Sequence, residues 1–334
     1  CSSDLEKFVD AFEAYLTKNR QTPIDDSIIE LFFQCKVFMT IYNLYDEHYM
    51  TYITREADEI KIKLFCVDPS SLLRNVCKKG KAAIFFSATL QPLPFYKDIL
   101  GGSDEDWTIR LTSPFPQDNL CVMVAGNISA RYRDRQNSYE VIAHYIKKAT
   151  DCKTGNYLVF FPSFEYMRNV YEQYKNLWPD DNTIAQDSNM NDSEREAFLS
   201  YFEKSPKQSL IAFAVMGGIF SEGIDLTGDR LSGAIIVSVG LPQLSPERDL
   251  IAKYYNQTKR LGFEYAYMFP GMNKVLQAAG RVIRTEEDRG FILLLDNRFL
   301  HSRYINLFPM EWNNYIKVSS PEDVANILNK FWGQ

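Results

Sequence analysis

Two arginines and a glutamine near the carboxyl end of the chain are the side chains best suited to chemistry. Gln277, Arg281 and Arg284 lie among small and apolar residues in the stretch LQAAGRVIR (276–284). If residues 273–285 form a helix, these three side chains share one face and apolar residues occupy the other. Two guanidinium groups in one cleft repel each other unless they share an anion, and their planar donor geometry suits a phosphate group. The pattern therefore predicts a phosphate-binding site.

A plainer alternative is that both arginines are exposed and paired with the acidic residues that follow them, Glu286, Glu287 and Asp288. Gly280 bears on the choice, because a glycine inside a helix costs roughly 1 kcal/mol of stability. Its presence predicts close approach of another group beside Arg281.

A glycine-rich segment, MGGIFSEGIDLTG (216–228), is the second candidate for ligand contact. Gly218 and Gly223 let a backbone approach a ligand closely, while Glu222 and Asp225 supply acceptors for hydroxyls or cations. The two glycines have the spacing of a phosphate-binding loop. Such a loop needs Lys and then Ser or Thr directly after the second glycine, and this sequence has Ile and Asp there. A simple glycine-rich connection is the alternative.

Hydrophobic spacing predicts the elements that position these segments. Apolar residues recur every three or four positions from Leu5 to Leu16 and from Ile28 to Tyr42, which predicts two opening helices. Strands are predicted next over three aromatic and β-branched stretches, residues 49–53, 62–67 and 82–90.

Five later apolar runs are continuous rather than alternating, which is typical of strands buried on both faces. They cover residues 120–125, 157–161, 210–215, 233–239 and 290–296. With helical segments between them, they predict an α/β fold with a parallel sheet and helices on both faces. We expect ligand contacts beyond the carboxyl ends of these strands.

Two helix starts are also predicted. Ser163 is a candidate cap for a helix beginning near Phe164. Ser193 and Glu196 have capping-box spacing, which predicts a helix from Ser193 to about Lys204.

The composition of the 334 residues is that of a packed globular protein, with 46% hydrophobic, 24% charged and 14% aromatic residues. No apolar run approaches the roughly 18 residues of a membrane span, so we expect a cytoplasmic protein without a membrane partner. The six cysteines are scattered, which favours buried thiols over a metal site. The net charge of −6 argues against nonspecific polyanion binding. The basic clusters are expected to be solvated surface: Lys78, Lys79, Lys81, Arg131, Arg133 and Arg135.

Four ordered stretches resemble motifs III, IV, V and VI of superfamily 2 helicases of the DinG/XPD type. They are FFSATL (85–90), LVFFPSFEYM (158–167), GIFSEGIDL (218–226) and QAAGRVIR (277–284). Flanking stretches are similar to the same family, namely VDPSSLL (67–73), VGLPQLSPERDL (239–250) and DNRF (296–299). The resemblance covers most of residues 60–334.

The sequence departs from the family in lacking GxxxxGK[ST] and a DEAH-like Walker B strand. The resemblance therefore implies the C-terminal part of such a helicase, and the first residue, Cys1, also predicts that further residues precede it. Residues 1–50 are expected to be a helical remnant of the Arch insertion. Residues 51–95 correspond to the last strands of the first motor domain with motif III, and residues 96–334 to the second RecA-like motor domain.

The resemblance also implies roles for the first group of candidate residues. Arg284 corresponds to the arginine finger on the γ-phosphate of ATP, with Arg281 beside it and Gln277 orienting the network. Asp225 would bond the ribose or couple to motif VI, and Glu222 would shape that loop. Gly218 and Gly223 belong to the same nucleotide-binding loop. The missing first motor domain would hold most of ATP and Mg²⁺.

Strand contacts and coupling complete what the resemblance implies. Ser87, Ala88 and Thr89 would couple nucleotide state to strand movement, although a polar strand end is the alternative. Single-stranded DNA would contact Ser163, Phe164, Ser221 and Gln243, although a place in the core is the alternative for Phe164. Movement in the 5′-to-3′ direction is implied as well, and we expect a monomer. A [4Fe-4S] cluster is possible upstream of this chain.

Two rival functions remain open. The first is a RecA-like module that binds single strands or a protein and never hydrolyses ATP. The second is a complete nucleotide-binding enzyme of another kind, such as a kinase, which would need the phosphate loop that this sequence lacks.

Overall fold

The computed structural model describes residues 2–19, 24–56, 59–218, 220 and 226–333. The helices are α1 (Ser2–Lys18), α2 (Asp26–Asn43), α3 (Ser70–Cys77), α4 (Leu93–Ile99), α5 (Tyr139–Asp151), α6 (Phe164–Leu177), α7 (Asp192–Ser200), α8 (Pro246–Lys259), α9 (Phe269–Ala279), α10 (Ser302–Ile305) and α11 (Pro321–Trp332). The strands are β1 (Tyr49–Glu56), β2 (Glu59–Cys66), β3 (Leu120–Ala125), β4 (Asn156–Phe161), β5 (Thr183–Ala185), β6 (Leu210–Val215), β7 (Gly233–Val237), β8 (Gly290–Leu295) and β9 (Ile316–Val318).

A parallel sheet of seven strands in the order β5-β6-β4-β7-β8-β3-β9 forms the body of the molecule. Side chains along each strand alternate between two buried clusters. In β4, Leu158 and Phe160 enter one cluster, while Tyr157, Val159 and Phe161 enter the other. Because both faces are covered, the strand sequences are continuously apolar, and the predicted α/β fold is confirmed.

Helices cover the two faces of this sheet. One face packs against α5, α6 and α11 through residues such as Ile146, Val170 and Leu328. The other packs against α7 and α9 through residues such as Phe198 and Val275. The fold is therefore a doubly wound α/β layer structure.

The two opening helices are present as predicted, and they pack on each other through Val9, Phe32 and Met39. β1 and β2 follow as an antiparallel hairpin, in agreement with the first two predicted strands. The hairpin and α8 are joined by Glu247, which accepts hydrogen bonds from Tyr52 and, at 2.9 Å, from Lys63 Nζ.

The strand predicted over residues 82–90 is wrong. This segment has no regular secondary structure, and its apolar side chains are exposed, with Ile84 at 84% and Phe86 at 89%. A strand needs a neighbour to pair its backbone amides and carbonyls. None of the strands in the described residues pairs with this segment.

The predicted capping box of α7 is wrong by two residues, and the helix ends at Ser200 instead of near Lys204. Asn191 is the cap: its side chain accepts from Glu194 N at 3.0 Å, and the Glu194 carboxylate accepts from Asn191 N at 2.8 Å. Asn caps a helix as well as Ser does, so spacing alone left two registers open.

Candidate functional site

A crevice opens where β4 and β7, which are neighbours in the sheet, lead to opposite faces. The chain after β4 enters α6, which belongs to one buried cluster, and the chain after β7 leads to α9, which belongs to the other. In doubly wound folds such a switch point at the carboxyl ends of the strands is the usual place for a ligand.

Ser163 and Phe164 lie at this crevice, directly after β4. The Ser163 hydroxyl accepts a hydrogen bond from Tyr166 N at 3.4 Å and caps α6, which confirms the predicted helix start. Phe164 is half-buried and packs against the cluster formed with α5 and α11. Its ring therefore serves the core, and this contact supports the second of the two interpretations of Phe164.

Buried polar groups hold the chain ends of β7 and β8 together at the same edge. Ser238 has a left-handed backbone with a φ of 75°, which a residue other than glycine seldom adopts. Arg298 donates to Ser238 Oγ at 3.1 Å and to both carboxylate oxygens of the fully buried Asp296. Such local strain clusters at functional sites. The stretch DNRF pointed to this place, but its spacing did not reveal the contacts.

Gln243 is exposed on the loop between β7 and α8, which begins at the carboxyl edge of the sheet. Ser245 caps α8 by accepting from Arg248 N at 3.3 Å. Gln243 and Ser163 thus follow neighbouring strands at one edge, as expected for residues that contact the same extended ligand.

A pocket of about 270 Å³ beside the start of α6 was missed by the sequence analysis. Arg135, assigned there to solvated surface, has its guanidinium carbon 4.7 Å from the ring centre of Tyr166 and 5.4 Å from that of Tyr132. Its Nε is buried and has no hydrogen-bond partner in the described part of the chain. Burial raises the pKa of Tyr166 to about 12, so this hydroxyl stays protonated. A cation between aromatic rings suits a nucleic acid base or phosphate.

The helix predicted over residues 273–285 corresponds to α9, which begins four residues before the predicted start and ends six residues before the predicted end. α9 ends at Ala279, and Gly280 is its C-cap residue. Arg281 and Arg284 therefore lie in the turn that follows, and the shared helical face with Gln277 does not exist. A Cβ on Gly280 would meet only Leu276 and Gln277 carbonyl oxygens within 4 Å among the described residues. This glycine ends α9 and does not interrupt it, and the close approach of another group beside Arg281 stays a prediction.

The turn that carries Arg281 and Arg284, here called the arginine turn, lies at the amino edge of the sheet, opposite the crevice. This position corrects the expected one at the carboxyl edge. α9 connects parallel strands and must run back across them. Near its start, Gly271 lies against the Val239 carbonyl at the carboxyl edge. Beyond its end, Val282 lies against Gly290, where β8 begins. The backbone of Arg284 is therefore near the amino ends of β7 and β8.

A buried carboxylate fixes the arginine turn to the end of the glycine-rich segment. Asp288 accepts from the backbone amides of Arg284 at 2.6 Å, Thr285 at 2.7 Å and Gly228 at 2.8 Å. Only 3% of Asp288 is exposed. The arginine turn and the end of the glycine-rich segment, which were predicted to belong to one nucleotide site, thus meet at Asp288. The sequence had indicated this residue only as a surface partner of the arginines.

Ser221, Glu222, Gly223 and Asp225 lie outside the described residues. Gly218 is described and follows β6 at the carboxyl edge, so its backbone is separated from the arginine turn by about the length of a strand, roughly 20 Å for six residues.

Ser87, Ala88 and Thr89 form a local turn in which Thr89 N donates to Ser87 Oγ at 3.2 Å. Close to this turn, Gln91 Nε2 donates to the carbonyl of Phe308 at 2.9 Å. The segment that resembles motif III is thereby attached to the sheet-bearing part of the molecule.

The described ranges contain neither a metal-binding cluster nor a membrane-spanning helix. No group of three or more His, Cys, Asp or Glu side chains there is arranged to hold a metal ion. No helix in that part of the chain is long and apolar enough to cross a bilayer. Burial raises the pKa of the Cys121 thiol to about 11, which makes it unreactive.

Known proteins match this chain in both sequence and structure. A family model described as helicase C-terminal domain matches residues 146–315, just over half of the chain. The ATP-dependent DNA helicase CHL1 of Debaryomyces hansenii is 27% identical over 72% of this chain and 33% of its own length. The ATP-dependent DNA helicase DinG of Photobacterium profundum is 27% identical over 68% of this chain and 33% of its length.

A third relative is the Saccharomyces cerevisiae general transcription and DNA repair factor IIH helicase subunit XPD/RAD3. It is 24% identical over 80% of this chain and 37% of its own length. The chain thus spans about a third of the length of these curated relatives.

Two solved structures, XPD_APO and XPD_Helicase, share the fold, with TM-scores of 0.61 and 0.62 at 19% identity. Each covers 96% of this chain, and the chain covers 62% and 56% of them. The four ordered motifs, the doubly wound parallel sheet and the family match agree. The chain therefore belongs to the helicase C-terminal domain family and is the C-terminal part of a superfamily 2 helicase of the DinG/XPD type.

Proposed function

We propose that this chain is the second motor domain, with adjoining pieces, of an ATP-dependent DNA helicase. The observation that carries the proposal is the bridge made by Asp288. It holds the Arg284 backbone and the Gly228 backbone together, so that the arginine turn and the end of the glycine-rich segment form one fixed unit. A nucleotide pocket completed by another lobe requires such a unit, because catalytic charges must be fixed before the phosphate arrives.

Arg284 is the proposed finger on the γ-phosphate of ATP, with Arg281 beside it and Gln277 as an orienting group. Asp225 would bond the ribose or couple to the arginine turn, and Glu222 would shape the loop. A guanidinium that meets developing phosphoryl charge accelerates hydrolysis by about 10³ to 10⁵ in related NTPases. The residues of this chain suit the phosphate end of ATP, while the Mg²⁺ ligands would come from the first motor domain.

The domain boundaries of the sequence analysis remain our proposal. Residues 1–50 would be the Arch remnant, residues 51–95 the last part of the first motor domain, and residues 96–334 the second motor domain. The exposed apolar segment 82–90 supports this division. As a strand of the first motor domain it would pair with neighbours that are not in this chain, and its Ile and Phe side chains would become buried.

Single-stranded DNA is the proposed polymer substrate, running along the carboxyl edge of the sheet in the 5′-to-3′ direction. Ser163 and Gln243 lie at this edge. Ser221 is a further proposed contact, and Phe164 would shape the track from the core. The pocket of Tyr132, Arg135 and Tyr166 borders the same track and offers rings and a guanidinium for stacking. We further propose that the protein acts as a cytoplasmic monomer and that any [4Fe-4S] cluster lies in the preceding region.

The test is Arg284→Ala in the full-length protein, with Arg303→Ala as the matched control. Arg303 is exposed and pairs with Glu264 at 3.6 Å. We expect the first variant to lose at least about 10³-fold in DNA-stimulated ATP hydrolysis while binding single-stranded DNA as before, and the control to keep both. Unchanged hydrolysis in Arg284→Ala would favour the rival, a RecA-like binding module without ATPase activity. The isolated chain is expected not to hydrolyse ATP.

A further inference from the structure

Lys274 is a half-buried cation at the carboxyl edge of the sheet. It lies on α9, and its amine forms no hydrogen bond or ion pair within residues 2–19, 24–56, 59–218, 220 and 226–333. Burial, and then the charge of Arg248, lower the pKa of Lys274. Removing an ammonium group from water without a partner is unfavourable. An anion at this place would relieve that cost.

Gly217 provides the room for this lysine. Its φ is +73°, and a Cβ placed on it would lie 3.0 Å from Lys274 Cε and 3.3 Å from Nζ. The end of the lysine side chain therefore lies directly over the backbone that leaves β6. Any larger residue at position 217 would be strained and would displace the amine.

A second cation faces the same region. Arg248 lies in the first turn of α8, and its Nη1 donates to the carbonyl of Ala266 at 3.1 Å. No carboxylate of the described residues pairs with Arg248. The adjacent Asp249 accepts instead from the Tyr267 hydroxyl at 3.0 Å. Two cations that repel each other, and that are answered only by a neutral carbonyl, favour an anion shared between them.

We propose that Lys274 and Arg248 bind one backbone phosphate of a single-stranded nucleic acid. The inference rests on the proposed function and adds two residues to its strand-binding edge. Gly217, Arg248 and Lys274 come from three elements that meet at the carboxyl edge, the edge that also carries Ser163 and Gln243. The arginine turn proposed for ATP lies at the opposite edge, so a nucleotide held there does not reach Lys274. A compact ammonium recognises phosphate as a point charge, which requires no particular base.

The experiment measures binding of a fluorescent oligothymidylate to the chain by anisotropy over a series of salt concentrations. The variants are Lys274→Gln, Lys274→Arg and the matched control Lys253→Gln, which removes the same charge from the exposed face of neighbouring α8. Loss of one phosphate contact lowers the salt slope by about 0.7 for a single strand. That corresponds to roughly eightfold weaker binding at about 50 mM salt and threefold at about 200 mM.

We expect this loss of affinity for Lys274→Gln, and an equal loss when the oligothymidylate is replaced by a matching abasic phosphodiester oligomer. Lys274→Arg should bind nearly as tightly as the wild type, and Lys253→Gln should bind as the wild type does. A thermal midpoint of Lys274→Gln equal to that of the wild type would show that the loss of affinity does not come from misfolding. Retained binding by Lys274→Arg would show the same independently. If the wild-type chain binds the strand and Lys274→Gln matches Lys253→Gln, the phosphate site is refuted while strand binding stands. If the wild-type chain binds neither oligomer, strand binding by this domain and the phosphate site both fail. A loss seen only with bases present would also overturn the site.

Discussion

Two buried carboxylates of this protein act as connectors between backbone segments. Asp288 ties the arginine turn to Gly228, and Asp296 orients Arg298 toward the strained Ser238. Ionised acceptors form stronger hydrogen bonds than neutral ones, so each of these residues can hold a backbone conformation that the local sequence does not favour. The geometry of both candidate sites therefore depends on these two buried carboxylates.

Asp288→Ala should lower the free energy of unfolding by about 3 kcal/mol, because three backbone amides lose their acceptor in a buried place. Glu287→Ala, at the exposed neighbouring position, should change it by less than about 0.5 kcal/mol. Urea denaturation followed by circular dichroism measures both. Equal effects in the two variants would mean that the bridge contributes no stability.

Arg298→Ala should lower the free energy of unfolding by about 3 to 5 kcal/mol. The physical reason is that Asp296, which is fully buried, loses its charge partner, while Ser238 loses a hydrogen bond. Arg303→Ala, which removes an exposed guanidinium, should stay within about 1 kcal/mol of the wild type. A small effect of Arg298→Ala in the same denaturation experiment would contradict a structural role for this pair.

At the scale of elements, helix ends decide where the candidate side chains lie. α9 ends at Ala279, so the two arginines belong to a turn and not to a helical face. The cap of α7 is Asn191, two residues before the predicted cap Ser193. In both cases the periodic apolar pattern located the helix correctly, whereas the end depended on which polar side chain satisfies the free backbone groups.

The observed cap of α7 can be tested against the predicted one. Asn191→Ala should lower the free energy of unfolding by about 1 kcal/mol, since it removes the side-chain acceptor of the Glu194 amide. Ser193→Ala should have almost no effect, because Ser193 is exposed within the first turn. The opposite ranking of the two variants in thermal denaturation would restore the predicted register.

At the scale of the whole molecule, the two candidate sites lie at opposite edges of one sheet. The glycine-rich segment leaves β6 at the carboxyl edge and reaches Gly228 beside Asp288 at the other. This segment is thus a covalent connection between the two edges. The hairpin β1-β2 adds a second connection, made to α8 through Glu247.

The hairpin connection should depend on pH. Hydrogen bonds donated by Tyr52 and then by Lys63 lower the pKa of Glu247 from 4.5 to about 2. Because the folded-state pKa is depressed, the stabilising effect is present above pH 4.5 and is lost as the pH falls toward 2. Thermal midpoints measured across this range should fall less steeply for Glu247→Gln than for the wild type. The exposed Glu196→Gln serves as control, and identical slopes for all three proteins would exclude the contribution.

Apolar runs and ordered motifs were sufficient to predict the α/β class, the buried strands and the family. Continuous apolar runs require a sheet covered on both faces, and four ordered motifs are specific enough to identify a helicase domain. Segment 82–90 shows the limit of such patterns, because a β-rich composition forms a strand only where a partner strand is present.

The contacts between residues that are distant in sequence depend on the folded arrangement. Asp288 is the last of three consecutive acidic residues. Its burial distinguishes it from Glu286 and Glu287, which are exposed. Lys274 and Gly217 are 57 positions apart in sequence, and no local pattern relates them. Their contact, and the placement of the arginine turn at the amino edge, follow from the direction in which α9 returns across the sheet. That direction is a property of strand order, which is set by long-range packing rather than by the spacing of residues.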